Sequence, residues 1–442
     1  MLKMKTITLS LLAILLVMSF ASCASDTTSD LPLPSKDMKA YLQIKVTVEG
    51  SGDTRASRAT TGPLGGEDGD GRKPGTNHEN DVNSLTVLLY KSDKDDLSED
   101  ATIDYVYTFT GLTSSSSSSD ATYTTGPREI DAAIVGKNYH VIVIANADDM
   151  TSKCKGKKIS EVRDLKMSKV CTRDADITKF SNFIMSSKKD AKIDFTTNKG
   201  SETDPYQVDV DIERLAARID IIPNATYNDT DNCYYYNVMD GTNVIGGFKL
   251  ESVTPTKVMT SGEYLIKRVS SDKDVLAVTY FGIETNDAAN KATNYVVCPW
   301  TKDRTGLTLS DAEGSISYNV QNVASSVSYI LDYVMENTTT DNKESYSTGL
   351  IFKGKYYELS DWDTTNKQPK AGKSGTDKYY TYTIRHSDPT GAGPKTDPMY
   401  YGIVRNNIYR IKIEGVVGEK KGMILTIAVK KWAKYTHAET SM

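Results

Sequence analysis

The sequence predicts a mainly β protein: two tandem β-sandwich domains, with short helices in the connecting loops, carried behind an export signal. Three observations predict it. There are 27 Tyr, with abundant Thr and Val, against 3 Trp and 8 Phe, a balance that favours strands over helices. Many short alternating or apolar runs lie between turn residues, the pattern of a sandwich or barrel. The pattern also restarts near residue 208 of 442, in a chain long enough for about two to three domains.

The first 22 residues read as a secretory signal. Lys3 and Lys5 precede the apolar run Leu11 to Met18, and Phe20-Ala21-Ser22-Cys23 follows. The apolar stretch is too short to span a bilayer permanently. A cysteine directly after small residues reads as a bacterial lipobox, in which Cys23 is acylated and becomes the first residue of the exported chain. The plain alternative is an ordinary signal peptide with Cys23 nearby by chance.

Residues 24–39 are polar, include Pro32 and Pro34, and read as a tether. Leu42, Ile44, Val46 and Val48 then alternate with Gln43, Lys45, Thr47 and Glu49, a period-two strand over 40–49 with one face to bury. It stops abruptly. Residues 50–75 are rich in Gly, Asp, Ser and Thr and carry Arg55, Arg58, Arg72 and Lys73. Such a segment buries too little to fold alone, and exposed segments of this kind are where proteases cut. The alternative is a long surface loop joining the strand to its domain.

Ordered sequence resumes at Val82. Residues 85–90, 105–109 and 139–144 read as strands, and Ser114 to Ser119 as a solvated loop. Helical period is weak and confined to 159–167 and 310–324. Val208, Val210 and Ile212 then alternate with Asp209, Asp211 and Glu213, which places a domain boundary at 208. Further strands are expected at 247–253, 274–283, 294–298, 355–359, 379–384 and 407–413. After the break Gly415 to Gly422, Met423 to Val429 forms a last strong strand that ends at Trp432. A strand thus sits at each end of the chain beyond a hinge.

Several function classes are disfavoured. The net charge of -5, with both signs interspersed, argues against a nucleic-acid partner. No Ser-hydrolase, zinc-protease or phosphate-loop motif surrounds the four histidines, His78, His140, His386 and His437. Asp68-Gly69-Asp70-Gly71 lacks the closing Glu and flanking helices of a calcium loop. No metal or cofactor is called for. Cys154, Cys171, Cys233 and Cys298 have no zinc spacing, and pairing or free burial both remain open. Tyr234-Tyr235-Tyr236 and Tyr400-Tyr401 could stack on sugars, although such clusters are more often strand residues.

Two blocks carry a resemblance. Val404-Arg405-Asn406-Asn407-Ile408-Tyr409, then Ile411 and Ile413, then the strand closing on Trp432, resemble the end of the Bacteroidales type V pilins. The nearest pattern is that of the major subunit of the short (minor) fimbriae. Ile212-Glu213-Arg214-Leu215-Ala216-Ala217-Arg218 resembles the opening of that family's second domain. The resemblance implies two transthyretin-like sandwiches and no enzymatic activity. It implies a palmitate-bearing lipoprotein precursor at the outer membrane that becomes a subunit of a cell-surface fimbria mediating adhesion. An Arg-specific protease would cut after Arg55, with Arg58 second, and remove the first strand. The C-terminal strand of the next copy, with Met423, Leu425, Ile427, Val429 and Trp432, would fill the vacated groove by β-augmentation.

The expected organisation is therefore a signal over 1–22, a lipidated propeptide over 23–55, an N-terminal sandwich over 56–207, a C-terminal sandwich over 208–418 and a donor strand over 419–442. Expected partners are further copies in a head-to-tail polymer, anchor and tip accessory pilins, the protease, and host or bacterial surface ligands. A surface lipoprotein that binds glycans or host ligands without polymerising, and a secreted β-rich hydrolase, are the competing readings.

Overall fold

The computed structural model describes residues 39–48, 72–74, 77–91, 100–117, 120–173, 180–259, 261–265, 318–337, 347–386, 402–418 and 422–433. The signal 1–22, Cys23, Arg55, Arg58, the 68–71 loop, Cys298, Tyr400, Tyr401 and the strands expected at 274–283 and 294–298 lie outside the described residues.

The chain is mainly β. Its first half carries β1 (Ala40–Val48), β2 (Arg72–Pro74), β3 (Ser84–Tyr90), β4 (Ile103–Thr110), β5 (Thr113–Ser117), β6 (Asp120–Thr124), β7 (Arg128–Ile130), β8 (Asn138–Ala145), β9 (Lys166–Met167), β10 (Thr172–Arg173), β11 (Phe180–Ser181), β12 (Met185–Ser187), β13 (Ala191–Asp194) and β14 (Tyr206–Arg214). Its second half carries β15 (Ala216–Ile222), β16 (Tyr227–Asn228), β17 (Cys233–Asp240), β18 (Asn243–Thr256), β19 (Gly262–Glu263), β20 (Tyr318–Asn319), β21 (Tyr329–Met335), β22 (Gly349–Glu358), β23 (Trp362–Asp363), β24 (Gln368–Pro369), β25 (Thr376–Thr383), β26 (Asn407–Val417) and β27 (Gly422–Ala433).

Two large sheets result. The first runs β4-β3-β8-β12-β14-β1-β6-β5, with β13 added to β8 and β7 to β1. The second runs β2-β27-β26-β17-β18-β22-β25. Its β26 also pairs in parallel with β15 over Ile408–Lys412, and β15 pairs with β21. That branching folds β15 and β21 over β18 and β22, so Ile219, Ile221 and Leu331 share a core with Phe248, Leu250 and Phe352. Burial follows position in the sheet. The middle strand β8 buries Tyr139 to Ala145 on both faces, whereas β14 buries Val208, Val210 and Ile212 and exposes Asp209 and Asp211.

Three expectations are corrected. The passage between the sheets falls at Leu215, not 208, because β14 pairs with β1 and β12 inside the first sheet and the second begins at β15. The alternation from Val208 is that of a strand of the first sheet. The serine run is a hairpin, with β5 paired to β6 from Thr113↔Thr124 to Ser117↔Asp120. Backbone pairing carries it, with little help from side chains. Helix is present at Ile159–Arg163, but within 310–324 the described Tyr318–Asn319 pairs with β18 as a strand.

Candidate functional site: a buried first strand and a C-terminal edge strand

β1 is an internal strand. It runs parallel to β14 from Leu42↔Tyr206 to Val48↔Ile212. On its other side it is antiparallel to β6 over Lys45–Val48 and to β7 over Ala40–Leu42. Local bonds close the remaining gaps. Tyr41 N donates to the Gly200 carbonyl at 2.9 Å, and Thr125 N donates to the Ile44 carbonyl at 2.9 Å. Ile44 N donates to Thr125 Oγ1 at 2.9 Å. The expected period-two pattern is present: Ala40, Leu42, Ile44, Val46 and Val48 are at most 3% exposed. Burying the four larger ones contributes roughly 6–12 kcal/mol before ordering costs, at about 1.5–3 kcal/mol each. The outer face adds Gln43, which donates to the Thr125 carbonyl at 2.9 Å and accepts from Gln207 Nε2 at 2.9 Å, and a loose, exposed pair, Lys45 Nζ to Asp209 Oδ2 at 3.8 Å, which is worth little.

β27 differs. It pairs antiparallel with β26 from Asn407↔Lys431 to Val417↔Gly422, with a register shift between Ile413 and Gly415. Met423, Leu425 and Ile427 face the second core but are only half-buried. Ile424, on the opposite face, is 49% exposed. Backbone register sets Val429 opposite Tyr409 and Lys431 opposite Asn407. The side chains of Val429 and Trp432 lie outside the described set. The strand expected as a donor therefore completes its own sheet here, as an edge strand. Among the described residues its outer edge is covered only by β2, in parallel register Arg72↔Lys431 to Pro74↔Ala433.

Just after β2, the turn Asn77–Asn80 enters the junction of the two sheets. Glu79 is fully buried. Its carboxylate accepts from Arg218 Nη1 at 3.1 Å and from the Tyr333 hydroxyl. Arg218 also donates to Asp220 Oδ1 at 2.7 Å and Oδ2 at 3.0 Å. Burial lowers the Arg218 pKa, but the Asp220 and Glu79 carboxylates outweigh it and hold the guanidinium above its usual value. Arg214 donates to the Glu79 carbonyl at 2.8 Å, to Asn406 at 3.1 Å and to Asn80. Burial lowers Arg214 to about 10. A second cluster joins Arg405 to Glu336 at 3.1 Å and to the Glu263 carbonyl at 3.1 Å. The two blocks that carry the resemblance thus supply arginines to the inter-sheet junction. Two parts of this arrangement are not readable in the sequence: that β2 would pair with β27, and that Glu79 would meet Arg218.

Other singled-out groups serve the fold. Tyr234 and Tyr236 donate to the Gln321 and Pro223 carbonyls, each at 2.6 Å, and Tyr235 donates to Asp231 at 2.7 Å. All three rings are buried, which removes them as a sugar platform. Cys154, Cys171 and Cys233 are free thiols. Burial pushes them up to about 11, 12 and 11 respectively. No helix among the described residues is long and apolar enough to cross a membrane.

A family model described as the major fimbrial subunit protein (FimA) matches residues 40–251. A second, the C-terminal region of the type IV major fimbrial subunit protein, fimbrillin, matches residues 374–424. The chain belongs to the fimbrial subunit family. The first match begins at β1, and the second ends at Ile424, three residues into β27. No curated protein matches the chain. Among solved structures it is similar to a candidate cell adhesion protein from Parabacteroides distasonis, at 19% identity and TM-score 0.46, covering 89% of this chain and 100% of that one. It is also similar to the tip fimbrial protein Mfa3 from Porphyromonas gingivalis, at 12% identity and TM-score 0.40, covering 89% and 100%. A fimbrial assembly protein from Parabacteroides distasonis gives 11% identity and TM-score 0.38, covering 88% and 95%.

Proposed function

We propose that this fimbrial subunit is a stalk component, exported as a lipoprotein through Cys23, matured by an Arg-specific protease and polymerised by exchange of its C-terminal strand. The cut falls after Arg55, with Arg58 second. β1 then leaves with its lipid, and β27 of the next copy takes its place. The contact is head-to-tail and does not close, so it propagates as a filament. Anchor and tip pilins would share the same joint, and the assembled fimbria would present surface ligands for adhesion.

The observation that carries this reading is the contrast between the two strands. β1 fills an internal slot that buries its alternate side chains completely. β27 is an edge strand whose Met423, Leu425 and Ile427 are only half-buried on their own body. Moving such a strand from an edge to an internal slot buries more apolar surface and pairs both its edges, and this gain drives exchange once β1 is gone. The test is the double variant Arg55→Ala plus Arg58→Ala. Loss of fibres with retention of a monomeric lipoprotein is expected. Normal fibres from that variant rule the maturation step out.

A further inference from the structure

We infer that β27 of a second copy enters the β1 slot in one register, with Met423, Leu425, Ile427 and Val429 at the positions of Leu42, Ile44, Val46 and Val48. This rests on the strand-exchange reading and adds to it the residue-by-residue seating of this chain.

Direction comes first. The slot runs parallel to β14 and antiparallel to β6 and β7. An incoming strand that reuses those hydrogen bonds must therefore run as β1 does. Facing comes second. Met423, Leu425, Ile427 and Val429 share one face of an extended strand, and a one-residue slip would turn Thr426, Ala428 and Lys430 inward. Slips of two residues keep the face, so size and charge must decide between them.

The slot offers five inward positions: one small, at Ala40, and four larger, at Leu42, Ile44, Val46 and Val48. Sliding the incoming strand two residues toward Ala40 puts Met423 where an alanine fits. It also puts Lys431 at the position of Val48, which is 1% exposed. Overpacking at one end and an unpaired buried ammonium at the other both oppose that seating. Sliding it the other way places Lys421 at the fully buried Leu42 position and pushes Val429 beyond the paired region. Between them lies the register in which four apolar residues meet the four larger positions. There Lys421 falls at the position of Ala40, the first residue of β1 and next to the exposed Lys39, so its long side chain needs to turn only one residue outward to keep its ammonium in water. Lys430 emerges past Val48, toward the end of β14 where Asp211 stands exposed. The outward positions follow: Thr426 replaces Lys45 beside Asp209, and Ala428 replaces Thr47 beside Asp211.

Cysteine cross-linking reads this directly. Paired residues on neighbouring strands lie within disulfide reach. Asp211→Cys is combined in the full chain with Thr426→Cys, Ala428→Cys or Lys430→Cys, and each protein is cut in the linker with an Arg-specific protease and oxidised. The Ala428→Cys pair should give a covalent ladder on a non-reducing gel, several-fold stronger than either neighbour and absent before the cut. With Cys171 and Cys298 replaced by serine in every variant, Asp211→Cys alone should give none, since the remaining Cys154 and Cys233 are buried. A ladder strongest with Thr426→Cys or Lys430→Cys overturns the register while leaving strand exchange standing. A ladder formed before the cut overturns the register as well, because β1 still fills the slot. If cut protein without added cysteines stays monomeric, strand exchange itself is wrong and the register goes with it.

Discussion

Glu79 faces two arginines in a space that admits no water-exposed partner. It is fully buried against Arg218, which is 4% exposed, and it also accepts the Tyr333 hydroxyl. Removing one member of such a pair leaves an uncompensated buried charge, at a cost of about 3–5 kcal/mol. Glu79→Ala should therefore lower the unfolding free energy from a urea titration by that amount, whereas Lys45→Ala, which breaks an exposed pair, should change it little. Asp332 gives a pH signature. Burial pushes its carboxyl up to about 6, against the pull of Arg173. The folded state then holds this proton more tightly than the unfolded one, whose carboxyl titrates near 3.9. Its contribution to stability falls as pH rises from about 4 to 6 and is flat above that. Asp332→Asn should remove this slope from a stability-against-pH curve measured by urea titration. None of these pairings is legible in the sequence. Arg214 and Arg218 stand out as charges in an apolar strand, but nothing local says that Glu79, far earlier in the chain, faces Arg218.

Strands announce themselves more clearly than their neighbours do. The alternation in 40–49 and in 423–429 reads directly as β1 and β27, because one face of each is apolar. The serine hairpin is invisible, since its pairing lies in the backbone, and the alternation at Val208 reads as a domain start because periodicity does not reveal which sheet a strand joins. The pattern also cannot say that β1 is internal and β27 an edge, and that difference carries the functional reading. It predicts separable effects. Leu425→Asp alters a half-buried side chain, so the donor's own fold should lose only roughly 0.5–3 kcal/mol. Its ability to join cut wild-type protein should be abolished, as sedimentation of mixed samples will show. Loss of folding together with joining would place Leu425 in its own core alone.

The two sheets are joined by more than the chain. The core of the first sheet extends to Met259, Tyr264, Tyr333, Met335 and Ile408 of the second half. Tyr333 meets Phe180 and Phe183 edge-on at 4.6 and 4.7 Å. β9 pairs with β19, and Ser186 donates to the Tyr264 carbonyl at 2.7 Å. Calorimetry should thus record one unfolding transition for the intact protein. Tyr333→Ala, which empties an aromatic site and frees Glu79, should cost about 3–5 kcal/mol and separate the two halves into distinct transitions. A rigid body of this kind suits a filament unit, since tension passes through a shared core instead of a bare linker.

At the scale of the assembled molecule, everything turns on whether β1 holds the slot closed. The direct measurement is light scattering, with electron microscopy, on purified full-length protein before and after cleavage in the linker by an Arg-specific protease. The account predicts a stable monomer before the cut, filaments after it, and the β1 peptide released into the soluble fraction as they grow. Filaments from uncut protein, or cut protein that loses β1 and remains monomeric, would contradict it.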